Sequence, residues 1–499
     1  SPCLCPSLAQ SGEPDRATNV AMGEVRNNTA CAALQLLACA FSGAVILPSS
    51  PSFTNASRID NARVETVAAV IAEADSAADV ACAMRAAVNC NATFAVLAGG
   101  HGAAGYGLSA DGVVLSLRGA EMSSIGPLDA QSGALWVGAG ARFSEIYAYA
   151  ASSGTDWVPI GGGCPQVGAG GFLLGGGWSF LSRSYGLGSD NVRAWDVVLA
   201  NGSAVHVERS SASEPSHPLH ELWWALQGGG GGNFGVVTAF ELQLQQPAPR
   251  MGLVGELCWA PLAPQVRAVF ATWLAAWATM PSELDVDPVW LPLGEGGSRL
   301  FCITVVCNSA SEAACASHVA PYRALGAVAH DTLRAAPFLE WQMANVNATE
   351  AQSGLLYLKS GVLAPGALTL AIVDDLMRAL AAAPSNKSLV LFHVGGGAIA
   401  QIGASATAFP HRGAQLIVQV KSIWATPSEE AANVAWVRDV FRTVLAPALS
   451  GSYVNYIDKE LDAWEAAYYG ANYPRLQRVK QAVDPTNFFR FAQSIALPA

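Results

Sequence analysis

The chain has 499 residues, too many for one simple core, which predicts two or three domains. With 52% hydrophobic and 13% charged residues it can bury a large interior and does not read as a disordered chain. A net charge of -11 without any basic run argues against nucleic acid and anionic membrane as partners, since phosphate contacts need clustered Lys and Arg.

In chain order, "SPCLCPSLAQ" reads as a mature or trimmed N-terminus. The longest apolar run, "CAALQLLACAFSGAVILP" at 31–48, is short for a membrane span. Ser42-Gly43 divides it into a helix-like half and a strand-like half, so no membrane partner is expected. "SAADVACAMRAAVNC" has helical spacing with Ser76 as its N-cap. "ATFAVLAGG", "DGVVLSLRGA" and "GALWVGAGA" read as strands, and "FSEIYAYAASSG" as a helix ending at Gly154. "VRAWDVVLANGSAVHVE" predicts a hairpin about Asn201-Gly202, and "FGVVTAFELQLQQP" a further strand.

The composition changes near residue 246. From there to 450, helices such as "APQVRAVFATWLAAWATM" alternate with strands such as "RLFCITVV", "SLVLFHV" and "AQLIVQVKSIW". That pattern predicts an α+β layer, an antiparallel sheet covered on one face by helices. The domains expected are therefore 1–245 and 246–450, followed by an aromatic-rich segment, 451–499. This last segment holds a helix near 474–483 that Asp484-Pro485 stops.

Eleven cysteines, at 3, 5, 31, 39, 82, 90, 164, 258, 302, 307 and 315, occur together with six N-x-S/T sequons, at Asn27, Asn55, Asn91, Asn201, Asn347 and Asn386. Together they predict a secreted, disulfide-bonded, N-glycosylated protein. Cys31 or Cys39 is expected to pair with Cys90. Eleven is odd, so if ten pair, one is left for another task. "CITVVC" lacks matching His or Cys partners nearby, which argues against zinc, and no metal is expected.

Three glycine-dense segments carry the chemistry. "AGGHGAAGYG" (98–107) contains a formal G-x-G-x-x-G at Gly100, Gly102 and Gly105. No helix opens at the third glycine, so the Rossmann reading fails, although such a loop can still wrap a pyrophosphate through backbone N–H groups. His101 in that loop, taken alone, reads as a satisfied loop histidine. "GGGCPQVGAGGFLLGGG" (161–177) suits close approach to a flat or phosphate-bearing ligand, and equally a structural loop with a buried cysteine. "WWALQGGGGGNFGVVT" follows at 223–238. Three such loops within residues 98–238 suggest one extended cofactor.

These segments resemble the berberine bridge enzyme-like family of FAD-linked oxidases, within the vanillyl-alcohol-oxidase-type flavoproteins. The resemblance starts at "ILPSSPSFTNASRIDNAR" and runs through "GGH", "GxCPxVGxGGxxLGGG", "RxYGLxxDN" and "GGGGGNFGVVT". It resumes at "FPHR" (409–412) and closes with "YVNYxD" and "YYGxNYxRLxxVKxxxDPxNxFRFxQSI". It implies a two-part FAD-binding domain of the vanillyl-alcohol-oxidase/PCMH type, with the C-terminal segment returning to it, and a substrate domain between. It also implies FAD attached twice, through His101 and Cys164, and a binding set of Gly99, Gly100, Gly102, Gly163, Val167, Gly168, Gly170, Gly175, Gly176, Tyr185, Gly186, Asn191, Val237 and Asn472.

The implied reaction is hydride transfer from a C–H group to the flavin, then reoxidation by O2 to hydrogen peroxide. Val167, three residues after Cys164, matches the family's oxygen-access position and resembles the oxidases. Tyr456 and Tyr453 match flavin-facing tyrosines, with Tyr456 fitting the base position better. A phenol, with a pKa near ~10, needs a cation or a hydrogen-bonding partner for that task. Strand alternation puts Ile417, Gln419 and Lys421 on one face, and Gln419 matches a pocket glutamine. Lys421 either polarises the site or is solvated. Neighbouring strands offer Tyr357, Lys359 and His393. "SLVLFHVGGG" lacks the carboxylate that tunes the tyrosine in some relatives, and His393 is the replacement. The alkaloid-oxidising relatives use a glutamate that "AQLIVQVKSIW" lacks. The expectation is thus a small-molecule sugar or alcohol as substrate and O2 as acceptor. The alternatives are an oxidase or cyclase of a hydrophobic secondary metabolite, a dehydrogenase using another acceptor, and a flavin-binding protein without catalysis.

Overall fold

The computed structural model describes residues 27–210, 217, 219–247, 252–291, 299–309, 311–348 and 354–499. Cys3, Cys5 and the "SPCLCPSLAQ" stretch lie outside the described residues, as do the side chains of Asn27 and Asn347. The apolar run 31–48 divides as its sequence predicts. Asn27–Ala38 is a helix and Ala44–Ile46 is a strand, β1. Among the described residues no helix is long and apolar enough to cross a membrane.

The first sheet joins β1 to β2 (Val70–Glu73), β3 (Phe94–Leu97) and β4 (Val113–Ser116) in the order β1-β2-β4-β3. β2 and β3 flank β4 in parallel, and β1 runs antiparallel to β2. Parallel strands need a crossover, supplied between β2 and β3 by the helix Ala77–Asn89. Ser76 caps it, its hydroxyl accepting from the Asp79 N–H at 3.1 Å. Cys31–Cys90 and Cys39–Cys82 staple this helix to Asn27–Ala38.

The second sheet is antiparallel: β5 (Ile125–Leu128), β6 (Ala134–Gly138), β7 (Val192–Val198), β8 (Ala204–Glu208) and β9 (Val236–Gln243), in the order β5-β6-β9-β7-β8. β7 and β8 form the predicted hairpin, whose turn holds Gly202 at φ +81°. The helix Phe143–Ser152 and the glycine loop 161–177 fall between β6 and β7.

The third sheet has nine strands: β10 (Gly252–Trp259), β11 (Leu284–Leu291), β12 (Leu300–Cys307), β13 (His330–Asp331), β14 (Arg334–Ala336), β15 (Leu355–Leu363), β16 (Leu389–Val394), β17 (Leu416–Trp424) and β18 (Leu449–Gly451). Its order is β13-β10-β12-β11-β16-β17-β15-β18, with β14 also on β10, and its pairings are antiparallel. Cys258 and Cys302 stand opposite each other on β10 and β12 and are bonded, while Cys307–Cys315 ties β12 to the helix Glu312–Arg323.

The period of two sorts the third sheet's side chains. Trp290, Val390, Phe392, Val418 and Val420 bury against the helices Pro264–Ala276, Leu370–Ala381 and Glu430–Val440. Asp287, Val289, Leu391, His393, Gln419 and Lys421 face a cavity shared with the glycine loops. This is the expected α+β layer, with helices on one face and a ligand space on the other.

The C-terminal segment packs into the core of the first two sheets. Leu476, Val479, Phe489 and Ile495 bury in the same cluster as Trp224 and Phe234. The helix Tyr473–Val483 carries Lys480, fully buried, whose ammonium donates to Asp484 Oδ2 at 2.7 Å, to the Asn233 carbonyl at 2.8 Å and to the Phe489 carbonyl. Asn233 Oδ1 in turn accepts from the Ile495 N–H at 2.8 Å. One buried ion pair therefore clamps the third glycine loop to the chain end. Removing the carboxylate charge with Asp484→Asn strands a buried ammonium, and urea denaturation is expected to show a loss of about 3 kcal/mol. A change below about 0.5 kcal/mol would show that the clamp is dispensable.

Candidate active site

The cavity, about 380 Å³, forms where the glycine loops meet the free face of the third sheet. Gly99 and Gly168 touch backbone to backbone. A Cβ on Gly99 would stand 2.3 Å from Gly168 Cα, and one on Gly168 would stand 2.4 Å from Gly99 N. That approach aligns the loop bearing His101 with the loop bearing Cys164. Each loop is also anchored behind. The Asp60 N–H donates to the Gly100 carbonyl and Asn61 Nδ2 to the Ala103 carbonyl, both at 2.8 Å. On the other side Phe143 N donates to Val167 O at 3.0 Å and Ser144 N to Pro165 O at 2.7 Å.

His101 Nδ1 lies 3.7 Å from Asp60 Oδ2. Burial lowers the imidazole below its ordinary value, Asp60 opposes that, and the charges of Lys421 and Arg142 add to it. The ring is thereby kept neutral, with a lone pair on one nitrogen. Of the nine described cysteines, eight form the four bridges above. The ninth, Cys164, belongs to none of the four and lines the cavity with His101 and Val167.

The walls fit an extended phosphate-bearing cofactor. His101, Gly102 and Ala103 line the cavity, and their backbone N–H groups donate to nothing among the described residues. A Cβ on Gly102 or Gly171 would meet nothing within 4 Å, and one on Gly231 would meet only Leu174, at 3.8 Å. These are open faces with unsatisfied donors, the arrangement that backbone nests present to anions.

Opposite stands a hydrogen-bonded chain of side chains. Tyr456 Oη and His393 Nε2 are 2.8 Å apart, and His393 Nδ1 lies 3.4 Å from Asp287 Oδ2. Asp287 Oδ1 accepts from the Val394 N–H at 2.8 Å, which fixes the carboxylate. An ionised carboxylate only accepts, so Nδ1 carries the proton and Nε2 accepts from the Tyr456 hydroxyl. Asp285, two residues away on the same face of β11, is fully buried, and burial first and the Asp287 charge second push its carboxyl well above the usual range. Both causes favour its protonated form.

Tyr453 is different. Its oxygen takes hydrogen bonds from Gly177 N (3.0 Å), Trp178 N (3.2 Å) and Asn455 Nδ2 (2.9 Å). Those donors favour the phenolate, but burial outweighs them and pushes the phenol up to about 12. It is a neutral wall of the cavity, packed edge-on to Tyr456 with ring centroids 5.3 Å apart.

The other residues named from sequence divide into two groups. Gly100, Gly102, Gly163, Gly170, Val237 and Gln419 line the cavity with those already placed. Gly175, Gly176, Tyr185, Gly186, Asn191 and Asn472 do not; their side chains or φ angles hold the frame. Gly176 and Gly186 sit at φ +107° and +84°, and a Cβ on Gly175 would collide with Asn455. Tyr185 donates to the Gln246 carbonyl, Asn191 Nδ2 to the carbonyls of Tyr185 and Leu187, and Asn472 Nδ2 to those of Ala404, Thr407 and Ala408. Tyr357 and Lys359 alternate to the far side of β15, where Lys359 pairs with Asp458, while Leu356 and Leu358 face the cavity.

Sequence reasoning missed Asp287, whose only signal is the alternation of two acids in the apolar strand "LDVDPVW", and Asp60, which lies in the "ILPSSPSFTNASRIDNAR" segment without being singled out there. The cluster Glu256, Cys258 and Cys302 is no ion site, because its two sulfurs are bonded to each other.

Comparison with known proteins agrees with this geometry. Residues 68–208 match the FAD binding domain family, and 452–496 match the family described as berberine and berberine like. The aclacinomycin-N/aclacinomycin-A oxidase of Streptomyces galilaeus is 30% identical over 415 residues, which cover 74% of each chain. The wild-type BBE-like 1 structure from Physcomitrella patens superposes with a TM-score of 0.82 at 22% identity, covering 96% of this chain and all of that one. A xylooligosaccharide oxidase from Myceliophthora thermophila C1, in complex with xylobiose, gives 0.80 at 23%, covering 94% of this chain and all of that one. The PCMH-type fold and the matched relatives lead to one conclusion: the chain belongs to the berberine bridge enzyme-like family of FAD-linked oxidoreductases.

Proposed function

We propose that this chain is a secreted oxidase of a sugar or alcohol CH–OH group, holding FAD through both His101 and Cys164 and using O2 as final acceptor. When bound, FAD supplies the acceptor for the substrate hydride and passes two electrons to O2, giving hydrogen peroxide. The substrate carbon loses hydride, its hydroxyl loses a proton, and a carbonyl results.

The observation that carries the reading is the 2.8 Å contact between Tyr456 and His393. Tyr456 Oη takes the substrate proton as its own proton moves to His393 Nε2. The Asp287 carboxylate, 3.4 Å from His393 Nδ1, faces the imidazolium so formed and stabilises it. Tyr453 stays neutral and shapes the cavity. The Gln419 carboxamide, buried and without a hydrogen-bond partner among the described residues, offers both a donor and an acceptor to a substrate hydroxyl.

His101 and Cys164 line one cavity, and the neutral imidazole is the form able to make a bond. Val167 lines the cavity three residues beyond Cys164, which supports O2 as acceptor. The exposed sequon residues Asn55, Asn91, Asn201 and Asn386, together with four disulfides, support secretion and glycosylation. A second reading, oxidation of a hydrophobic secondary metabolite, is favoured by Val289, Leu356, Leu358 and Leu391 on the cavity face and by the likeness to aclacinomycin oxidase.

Acid precipitation tests the attachment. Flavin is expected to stay with the protein in wild type, His101→Ala and Cys164→Ala, and to be released only from the double variant; release from wild type would overturn it. Tyr456→Phe is expected to slow anaerobic flavin reduction by about 100-fold or more and His393→Gln by about 10- to 100-fold, read by stopped-flow absorbance. An unchanged rate in Tyr456→Phe would remove the tyrosine from the proton path. Val167→Leu is expected to slow reoxidation by O2 while leaving flavin reduction intact; equal slowing of both steps would contradict the oxygen role.

A further inference from the structure

Among the described residues, Lys421 is the one cation on the substrate sheet's side of the cavity that nothing in the proposed reaction uses. It lines the cavity from β17, half-buried, and its cross-strand neighbours are Leu358 on β15 and Leu389 on β16. Among the described residues its ammonium makes no hydrogen bond and no salt bridge. The two acids that line the cavity are engaged elsewhere: Asp60 faces His101, and Asp287 faces His393 and the Val394 N–H. Lys421 lies near enough to His101 for its positive charge to help hold that imidazole below its ordinary value. An ammonium in a cavity without a protein counter-charge is a ready site for a ligand that brings one. A chain of net charge -11 does not attract anions as a whole, so such recognition must be local.

We propose that Lys421 is the anion-binding end of the substrate cavity, and that the substrate is an alcohol bearing a carboxylate. This rests on the sugar or alcohol reading above and narrows it. The register sets the spacing. His393 stands opposite Ile417, and Lys421 lies four residues further along β17, about 13 Å at ~3.3 Å per residue. Gln419 lies midway on the same face, and the lysine's flexible four-carbon stem shortens the gap. A substrate reaching from the Tyr456 hydroxyl to the ammonium therefore has about one ring between its reacting carbon and its carboxylate, with the Gln419 amide beside that ring. An acidic disaccharide or a carboxylated aromatic alcohol meets this description.

The test uses the FAD-loaded enzyme and matched pairs differing only in the acid. The pairs are cellobiose against the same disaccharide with a C6 carboxylate on its non-reducing ring, and benzyl alcohol against 4-(hydroxymethyl)benzoate. Anaerobic flavin reduction gives a rate and an apparent Kd for each. The acid member of a pair is expected to be favoured about tenfold or more. Lys421→Met is expected to collapse that ratio through Kd, and Lys421→Arg to retain most of it. Benzoate binding, followed by flavin difference absorbance, is expected to weaken in Lys421→Met as well. Equal or better reduction by the neutral members, or a ratio unmoved by Lys421→Met, overturns the proposal. A shifted flavin potential in Lys421→Met with the ratio intact also overturns it, assigning the lysine to the cofactor. If no member of either pair reduces the flavin while benzoate binding still depends on Lys421, the sugar or alcohol reading fails and the anion site stands.

Discussion

A contact without side chains holds the site together. Gly99 and Gly168 lie so close that neither position has room for a Cβ. Because these two loops meet at backbone distance, His101 and Cys164 open onto one space although more than sixty residues separate them. The anchors behind the loops, Asp60 N to Gly100 O on one side and Phe143 N to Val167 O on the other, keep the two in register. A methyl group at the contact would part the loops and with them the two residues proposed to hold the flavin. The glycines of this region thus do two kinds of work: some permit backbone to meet backbone, and others, such as Gly102 and Gly231, leave the backbone open to a ligand.

The second half of the site depends on the third sheet being held at the right distance. Here the residues of "RSYGLGSDN" act as a latch. Arg183, buried, donates to the carbonyls of Leu284, Met280 and Pro281 and of Gly395, just outside β11 and β16 or at their ends. Asp190 takes a paired hydrogen bond from Arg412 at 2.6 and 2.7 Å, with both groups buried. A buried, paired charge fixes one arrangement, because breaking the pair leaves a bare charge. β11 and β16 carry Asp287 and His393, so the latch that joins the loops to the sheet also sets the proton path. Burial lowers the Arg183 guanidinium from its ordinary value, and the neighbouring acids of β11 oppose that shift.

Much of this was legible in the chain. The helix Ala77–Asn89 with its Ser76 cap, the hairpin at Asn201-Gly202 and the strands β16 and β17 follow from periodicity and turn chemistry, which act over a few residues. The placing of Gln419 and Lys421 on one face follows from strand alternation, and the cavity lies on that face. The pattern of glycine loops pointed to one extended ligand. What escaped was Asp287. It stands on β11, more than a hundred residues before His393, and no local pattern pairs them; the antiparallel register does. Tyr185, Asn191 and Asn472 escaped in the other direction. Their motif membership suggested contact with the cofactor, whereas their side chains donate to backbone carbonyls of the frame.

The sequence by itself determined the α+β layering, the three glycine loops, the candidate attachment pair His101 and Cys164, and the pocket-facing residues of β17. Each depends on chain-local geometry or on a motif with fixed spacing. Only the tertiary structure decided that His393 bridges Tyr456 to Asp287, that Tyr453 is held neutral by burial, and that Lys421 meets no counter-charge among the described residues. Those properties belong to distances between side chains on different elements, and the packing of whole sheets and loops sets such distances.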